Sequence, residues 1–118
     1  MFEWSGSVYD NDGLSASIFG DAIRSFCMEY DDYIILKATP PIEFSSYLQA
    51  HSPIKTINGL MPIEIRFDYP DGSFKHFCYE TNSKDDIYWI FVNYWAKNEL
   101  PDMTKFKDIT EELYPKKV

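Results

Sequence analysis

His76 and Cys78 lie two residues apart on an alternating segment, so they share a face, and a hairpin register would place Glu64 and Arg66 beside them. A thiol, an imidazole and a carboxylate on one surface could in principle supply a nucleophile, its base and an orienting acid. Spacing argues against that chemistry. Same-face neighbours along a strand stand roughly 7 Å apart, too far for a direct thiol to imidazole hydrogen bond, and no Gly-rich turn nearby offers oxyanion donors. An ordinary strand face turned to solvent or to a partner accounts for these residues, and no catalytic residue is assigned.

Metal chemistry fares no better. Asp10-Asn11-Asp12-Gly13 has the alternating oxygens and the glycine of a calcium loop. With Gly13 in the sixth position, however, the first ligand would be Val8 and the bidentate acid Phe19. A plain turn is expected there. His51 and His76 form no zinc spacing with Cys27 and Cys78, which lie 51 positions apart in no CxxC pair and are expected to be free thiols. The neighbouring carboxylates of Asp31-Asp32 and Asp85-Asp86 point in different directions on any regular element, so capping and solvated loops explain them. No GxxxxGK[ST], GxGxxG, GxSxG or HExxH motif occurs, and neither a metal nor a cofactor is expected.

Composition points to surfaces instead. The 118 residues suit one domain, taken as 1–118, and aromatics reach 18%, a supply of flat amphipathic rings that must fill a core, face a partner, or do both. Nineteen acids against 11 bases give a net charge of −8, which repels nucleic acid and anionic membrane. Seven of those acids and a single base, Arg24, fall within residues 1–36. With no charged leader ahead of an apolar run and no segment long enough to span a bilayer, a cytoplasmic location is expected.

The elements that must carry these residues read as follows. An initial strand is expected over residues 3–9. A helical stripe of Ile18, Phe19, Ala22, Ile23, Phe26, Cys27 and Tyr30 outweighs the strand-like alternation of Leu14, Ala16 and Ile18, and Asp31-Asp32 closes that helix. Tyr33 to Ala38 is a short strand stopped by Pro40-Pro41. Residues 42–51, with Ile42, Phe44, Tyr47 and Leu48 and with Pro41 at the first turn, favour a short helix.

The strongest local signal is the hairpin at about 62–80. Ile63, Ile65 and Phe67 alternate with Glu64, Arg66 and Asp68, and Pro70-Asp71-Gly72 supplies the turn. That loop pairs Ile63 with Tyr79, Ile65 with Phe77 and Phe67 with Lys75 on an apolar face, and Glu64 with Cys78, Arg66 with His76 and Asp68 with Phe74 on the other. Ser83-Lys84-Asp85-Asp86 opens a capped helix of roughly 84–99, although Ile87 to Ala96 is apolar all round and could pass for a central strand. A last amphipathic helix is expected over 104–114. The whole predicts an α+β fold: a small antiparallel sheet with the hairpin at its centre, packed against three or four helices.

Function follows from the surplus of aromatics. Trp89 and one or two of Tyr88, Val92 and Tyr94 cannot all fit in a core of this size, so an apolar patch is expected at the surface. Aromatic anchors ringed by carboxylates suit a protein that grips a basic protein partner. The expected surface comprises Asp10, Asp12, Asp31, Asp32, Tyr88 and Trp89. The favoured reading is a non-enzymatic inhibitor or immunity-type protein that occludes a basic site on a toxin, nuclease or other protein. Two alternatives stand: a ligand-binding domain or enzyme with a pocket between hairpin and aromatic element, and a subunit of an obligate assembly, in which the patch is a self-interface.

Overall fold

Alternation and turn chemistry shape the middle of the chain. In the computed structural model, which describes residues 2–4, 7–9, 13–56 and 58–113, Met61–Asp68 and Phe74–Thr81 form the expected hairpin. Its register pairs Ile63 with Tyr79, Ile65 with Phe77 and Phe67 with Lys75, and on the other face Glu64 with Cys78, Arg66 with His76 and Asp68 with Phe74. Gly72 takes φ +87° at the turn, a left-handed conformation that a side chain would strain.

Among the described residues the strands form one seven-stranded antiparallel sheet. Call them β1 (Phe2–Trp4), β2 (Ser7–Tyr9), β3 (Tyr33–Ala38), β4 (Ser45–His51), β5 (Met61–Asp68), β6 (Phe74–Thr81) and β7 (Lys107–Asp108). They lie in the order β2-β1-β3-β4-β5-β6-β7. The hairpin β5-β6 is therefore off-centre, and β4 holds the middle place expected for it. The initial segment is two short strands paired with each other rather than one strand over 3–9. The chain crosses from β2 to β3 through helix α1 (Ala16–Arg24), leaving β1 between them.

The second helix, α2 (Lys84–Lys97), explains why its sequence is apolar all round. Three stripes at helical spacing meet three different neighbours. Ile87, Phe91 and Tyr94 are fully buried in the core shared with the sheet. Tyr88 and Trp95 turn towards α1, where the Trp95 ring lies 5.7 Å from Phe19 and a Cβ on Gly20 would come within 3.4 Å of Tyr88. Asp86, Trp89, Ile90 and Asn93 line a cavity closed by the returning chain at residues 99–106. Strand-like composition gave way to a cap: the Ser83 Oγ accepts from the Asp86 N–H at 3.2 Å, with Asp85 and Asp86 at the positive end of the helix dipole. Lys84 Nζ ties α2 to the end of α1 by donating to the Arg24 and Phe26 carbonyls at 3.1 and 2.9 Å.

Three expectations fail for identifiable reasons. Residues 45–51 are strand β4, not helix: Glu43 and Phe44 adopt φ of 47° and 71°, and the Ser45 N–H donates to the Ile42 carbonyl at 2.8 Å, a tight reversal that no helix starting at Pro41 could contain. Ladders to β3 and β5 on either side then outweigh the helical spacing of Ile42, Phe44, Tyr47 and Leu48. The first helix stops at Arg24, so Phe26 is buried outside it and Asp31-Asp32 stand at the entry to β3 instead of closing it.

The C-terminal helix expected over 104–114 is replaced by a 3₁₀ turn (Met103–Lys105), β7, and a single helical turn, α3 (Thr110–Leu113). Asp102 and Asp108 each accept from the backbone N–H and the hydroxyl of a threonine two residues on. These local caps break a continuous helix. Three helices are thus described, the last of only four residues, and the α+β assignment holds. No helix among the described residues is long and apolar enough to cross a membrane.

Candidate functional site

Helices α1 and α2 cover one face of the sheet, so the polar residues of the alternation fall on the other. Glu64 on β5 lies between two histidines from its flanking strands. His76 Nε2 stands 2.9 Å from one carboxylate oxygen and His51 Nε2 3.5 Å from the other. Gln49 Nε2 bonds the same nitrogen of His51. The ring of Tyr47 meets His76 edge to face at 6.0 Å, and the His76 side chain is only 4% exposed. The backbone of His76 is tied as well: its N–H donates to Thr110 Oγ1 at 2.8 Å and its carbonyl accepts from the Ile109 N–H at 2.8 Å. His76 and Glu64 are thus packed in, whereas Asp68 at the end of the same face meets solvent, so the expected face turned to solvent or to a partner holds only away from this pair.

His76 bonds to Glu64, which stands opposite Cys78. Burial, reinforced by the charge of Glu64, pushes the Cys78 thiol up from 9.0 to about 12, so it stays protonated at neutral pH. Both Cys27 and Cys78 are free. Alkylation of Cys78 by iodoacetamide at pH 8 is expected to run roughly 50-fold slower than that of an ordinary thiol. A thousandfold smaller thiolate fraction is offset in part by the greater intrinsic nucleophilicity of a high-pKa thiolate. Mass spectrometry of a Cys27→Ser variant reads this rate, and equal rates would contradict the packing around Cys78. Among the described residues, no group of three histidine, cysteine or acidic side chains is arranged to hold a metal ion.

The second arrangement lies at α2. Trp89 is 57% exposed, and Tyr88 buttresses it edge to face, with ring centroids 5.1 Å apart. Beside it a cavity of about 190 Å³ runs between Tyr79, the Asp86, Ile90 and Asn93 stripe, and the Glu99 to Phe106 segment. Its charged lining is Asp86, Glu99 and Asp102 against Lys105. The Asp86 carboxylate is held by one oxygen, Oδ2, which accepts from Tyr79 Oη at 3.1 Å and Thr81 Oγ1 at 3.0 Å. Thr104 bonds hold Asp102 below the usual carboxylate range, so its charge persists to lower pH.

Of the residues expected to meet a partner, the structure brings Tyr88 and Trp89 together and leaves Trp89 at the surface. Asp31 and Asp32 precede β3, three strand spacings or about 14 Å across the sheet from the β6 wall of the cavity. They form no part of it. Asp32 is engaged locally, its N–H donating to Ser52 Oγ at 3.2 Å and its carbonyl accepting from the Ser52 N–H at 2.8 Å. Asp10 and Asp12 lie outside the described residues.

Sequence reasoning missed Glu99 and Asp102 altogether and treated Asp86 only as a capping acid. The Glu99-Leu100-Pro101 stop after α2 was the available signal, because it ends the helix there, but it does not report over which face the chain returns. No protein-family model, curated protein or solved structure matches this chain.

Proposed function

We propose that this is a non-enzymatic binding protein of the inhibitor or immunity type, which docks its acidic and aromatic surface on a basic site of another protein. The observation that carries the reading is the exposed Trp89 ring beside a cavity whose charged lining is three carboxylates and one ammonium. A large aromatic held by a rigid helix is the side chain that contributes most at interface centres, and surrounding acids select a partner of opposite charge. The acids of the first 36 residues, Asp31 and Asp32 among them, would add long-range attraction without touching the partner. Occlusion of this kind requires no bond-making group, in keeping with a thiol held protonated at Cys78.

A small-ligand role has less support. The Trp89 cavity is smaller than the roughly 300 Å³ at which ligand pockets begin. A roomier open cavity of about 440 Å³ near Phe2, Pro40 and Pro41 offers Glu43 as its single charged group.

Affinity capture from the native host tests the reading. One stoichiometric basic protein should be retained at low salt and released at high salt, and Trp89→Ala should weaken its retention at least tenfold while the far-ultraviolet spectrum stays unchanged. A co-purifying metabolite with no protein partner would overturn the proposal in favour of a pocket. A stable oligomer that buries Trp89 would overturn it in favour of self-assembly.

A further inference from the structure

Resting on that reading, we infer that the Trp89 cavity is the seat of one arginine side chain of the partner, stacked on the indole and hydrogen-bonded to Asp86. Size limits the occupant first: about 190 Å³ admits a single long side chain rather than a drug-sized molecule. Charge limits it next, since Asp86, Glu99 and Asp102 against Lys105 leave the lining with an excess of two negative charges, which excludes phosphates and acidic peptides and favours a cation.

Geometry then separates arginine from lysine. Trp89, 57% exposed and part of the cavity lining, supplies a flat aromatic ring there, and Tyr88 packs edge to face against it. A guanidinium is planar, stacks on such a face and is more weakly hydrated than an ammonium, so it loses less on entering a half-closed notch. Asp86 supplies the complement. Tyr79 and Thr81 both bond Oδ2, which fixes the carboxylate, while Oδ1 accepts from no other described residue and can take an incoming N–H. Glu99 and Asp102, both exposed, stand on the returning chain across the cavity from α2. Lys105, the resident cation of the lining, lies near enough to Asp102 for its charge to help keep that carboxylate ionised.

The test uses the full chain and three blocked tripeptides, Gly-Arg-Gly, Gly-Lys-Gly and Gly-citrulline-Gly, titrated at low salt. The indole N–H of Trp89 is followed by nuclear magnetic resonance after assignment with Trp89→Phe. The arginine peptide should move that signal with a millimolar constant at least fivefold tighter than the lysine peptide, and citrulline, which keeps the shape without the charge, should not saturate. Asp86→Asn and Glu99→Gln should each weaken the arginine peptide severalfold, whereas Asp71→Asn, an identical charge change on the distant hairpin turn, should not. Because Asp86 also lies in the first turn of α2, Glu99→Gln carries the comparison should Asp86→Asn fail to fold. Equal binding of arginine and lysine peptides, or equal loss with Asp71→Asn, would overturn the arginine seat while leaving a diffuse acidic docking surface intact. No response at Trp89 to any peptide would overturn the seat alone when the native partner is still captured through Trp89, and the wider reading with it when that capture fails too.

Discussion

Phe91→Ala is expected to remove about 3–5 kcal/mol from the unfolding free energy, the range found when a large aromatic is deleted from a rigid core. Phe91 is fully buried at the centre of α2, its ring 6.3 Å from Trp4 on β1 and 6.2 Å from Phe19 on α1. It is the residue through which both helices and the first strand meet. Trp4 and Phe19 also pack edge to face on each other at 4.9 Å, so neither can slide into the space without giving up that contact, and the cavity stays open. Urea denaturation should show a lower midpoint with an unchanged slope, and Phe91→Leu should recover more than half of the loss. A change below 1 kcal/mol for the alanine variant would mean that the three rings do not form one packed unit.

The parts of the fold legible in the sequence are those whose signal is local. The Pro70-Asp71-Gly72 turn sets the β5-β6 register without help from elsewhere, and Ser83 with two following acids starts α2 despite its β-branched and aromatic content. Strand β4 was hidden because its identity comes from β3 and β5, one on each side, and from a reversal at Glu43-Phe44 made without glycine. The C-terminal segment was hidden because Thr104 and Thr110 donate back to the carboxylates of Asp102 and Asp108, a choice that hydrophobic spacing does not report.

The same division runs through the candidate site. That Trp89 would overflow the core follows from counting aromatics, and the structure leaves it exposed while Tyr94 is fully buried and Tyr88 and Val92 are half-buried. That Glu99 and Asp102 join Asp86 around it depends on where the chain returns. On the opposite face, cross-strand pairing correctly put Arg66 opposite His76 and Glu64 opposite Cys78, yet His76 bonds diagonally to Glu64. Diagonal neighbours on a twisted sheet come within reach of long side chains, and pair lists drawn straight across do not contain them.

That diagonal bond underlies the second large effect. Glu64→Leu is expected to cost about 3 kcal/mol, because the 4%-exposed His76 loses the acceptor for Nε2 in a place that water barely enters. His76→Leu should cost a similar amount by stranding one oxygen of Glu64. The double variant should cost less than the two together, since a buried polar pair replaced by apolar groups leaves neither of its members unsatisfied, and His51 keeps its bond to Gln49. Cys78 gives a second readout that separates the partners. Its thiol is held up first by burial and then by the Glu64 charge, so Glu64→Leu should lower its pKa and speed its alkylation, whereas His76→Leu, which keeps that charge, should not. Additive single effects with unchanged thiol reactivity would mean that Glu64 points to water, and the face would then be open to solvent and to ligands. Strong coupling instead marks this layer as structural, which leaves the exposed indole of Trp89 on the other side of the sheet as the surface where a partner has most to gain.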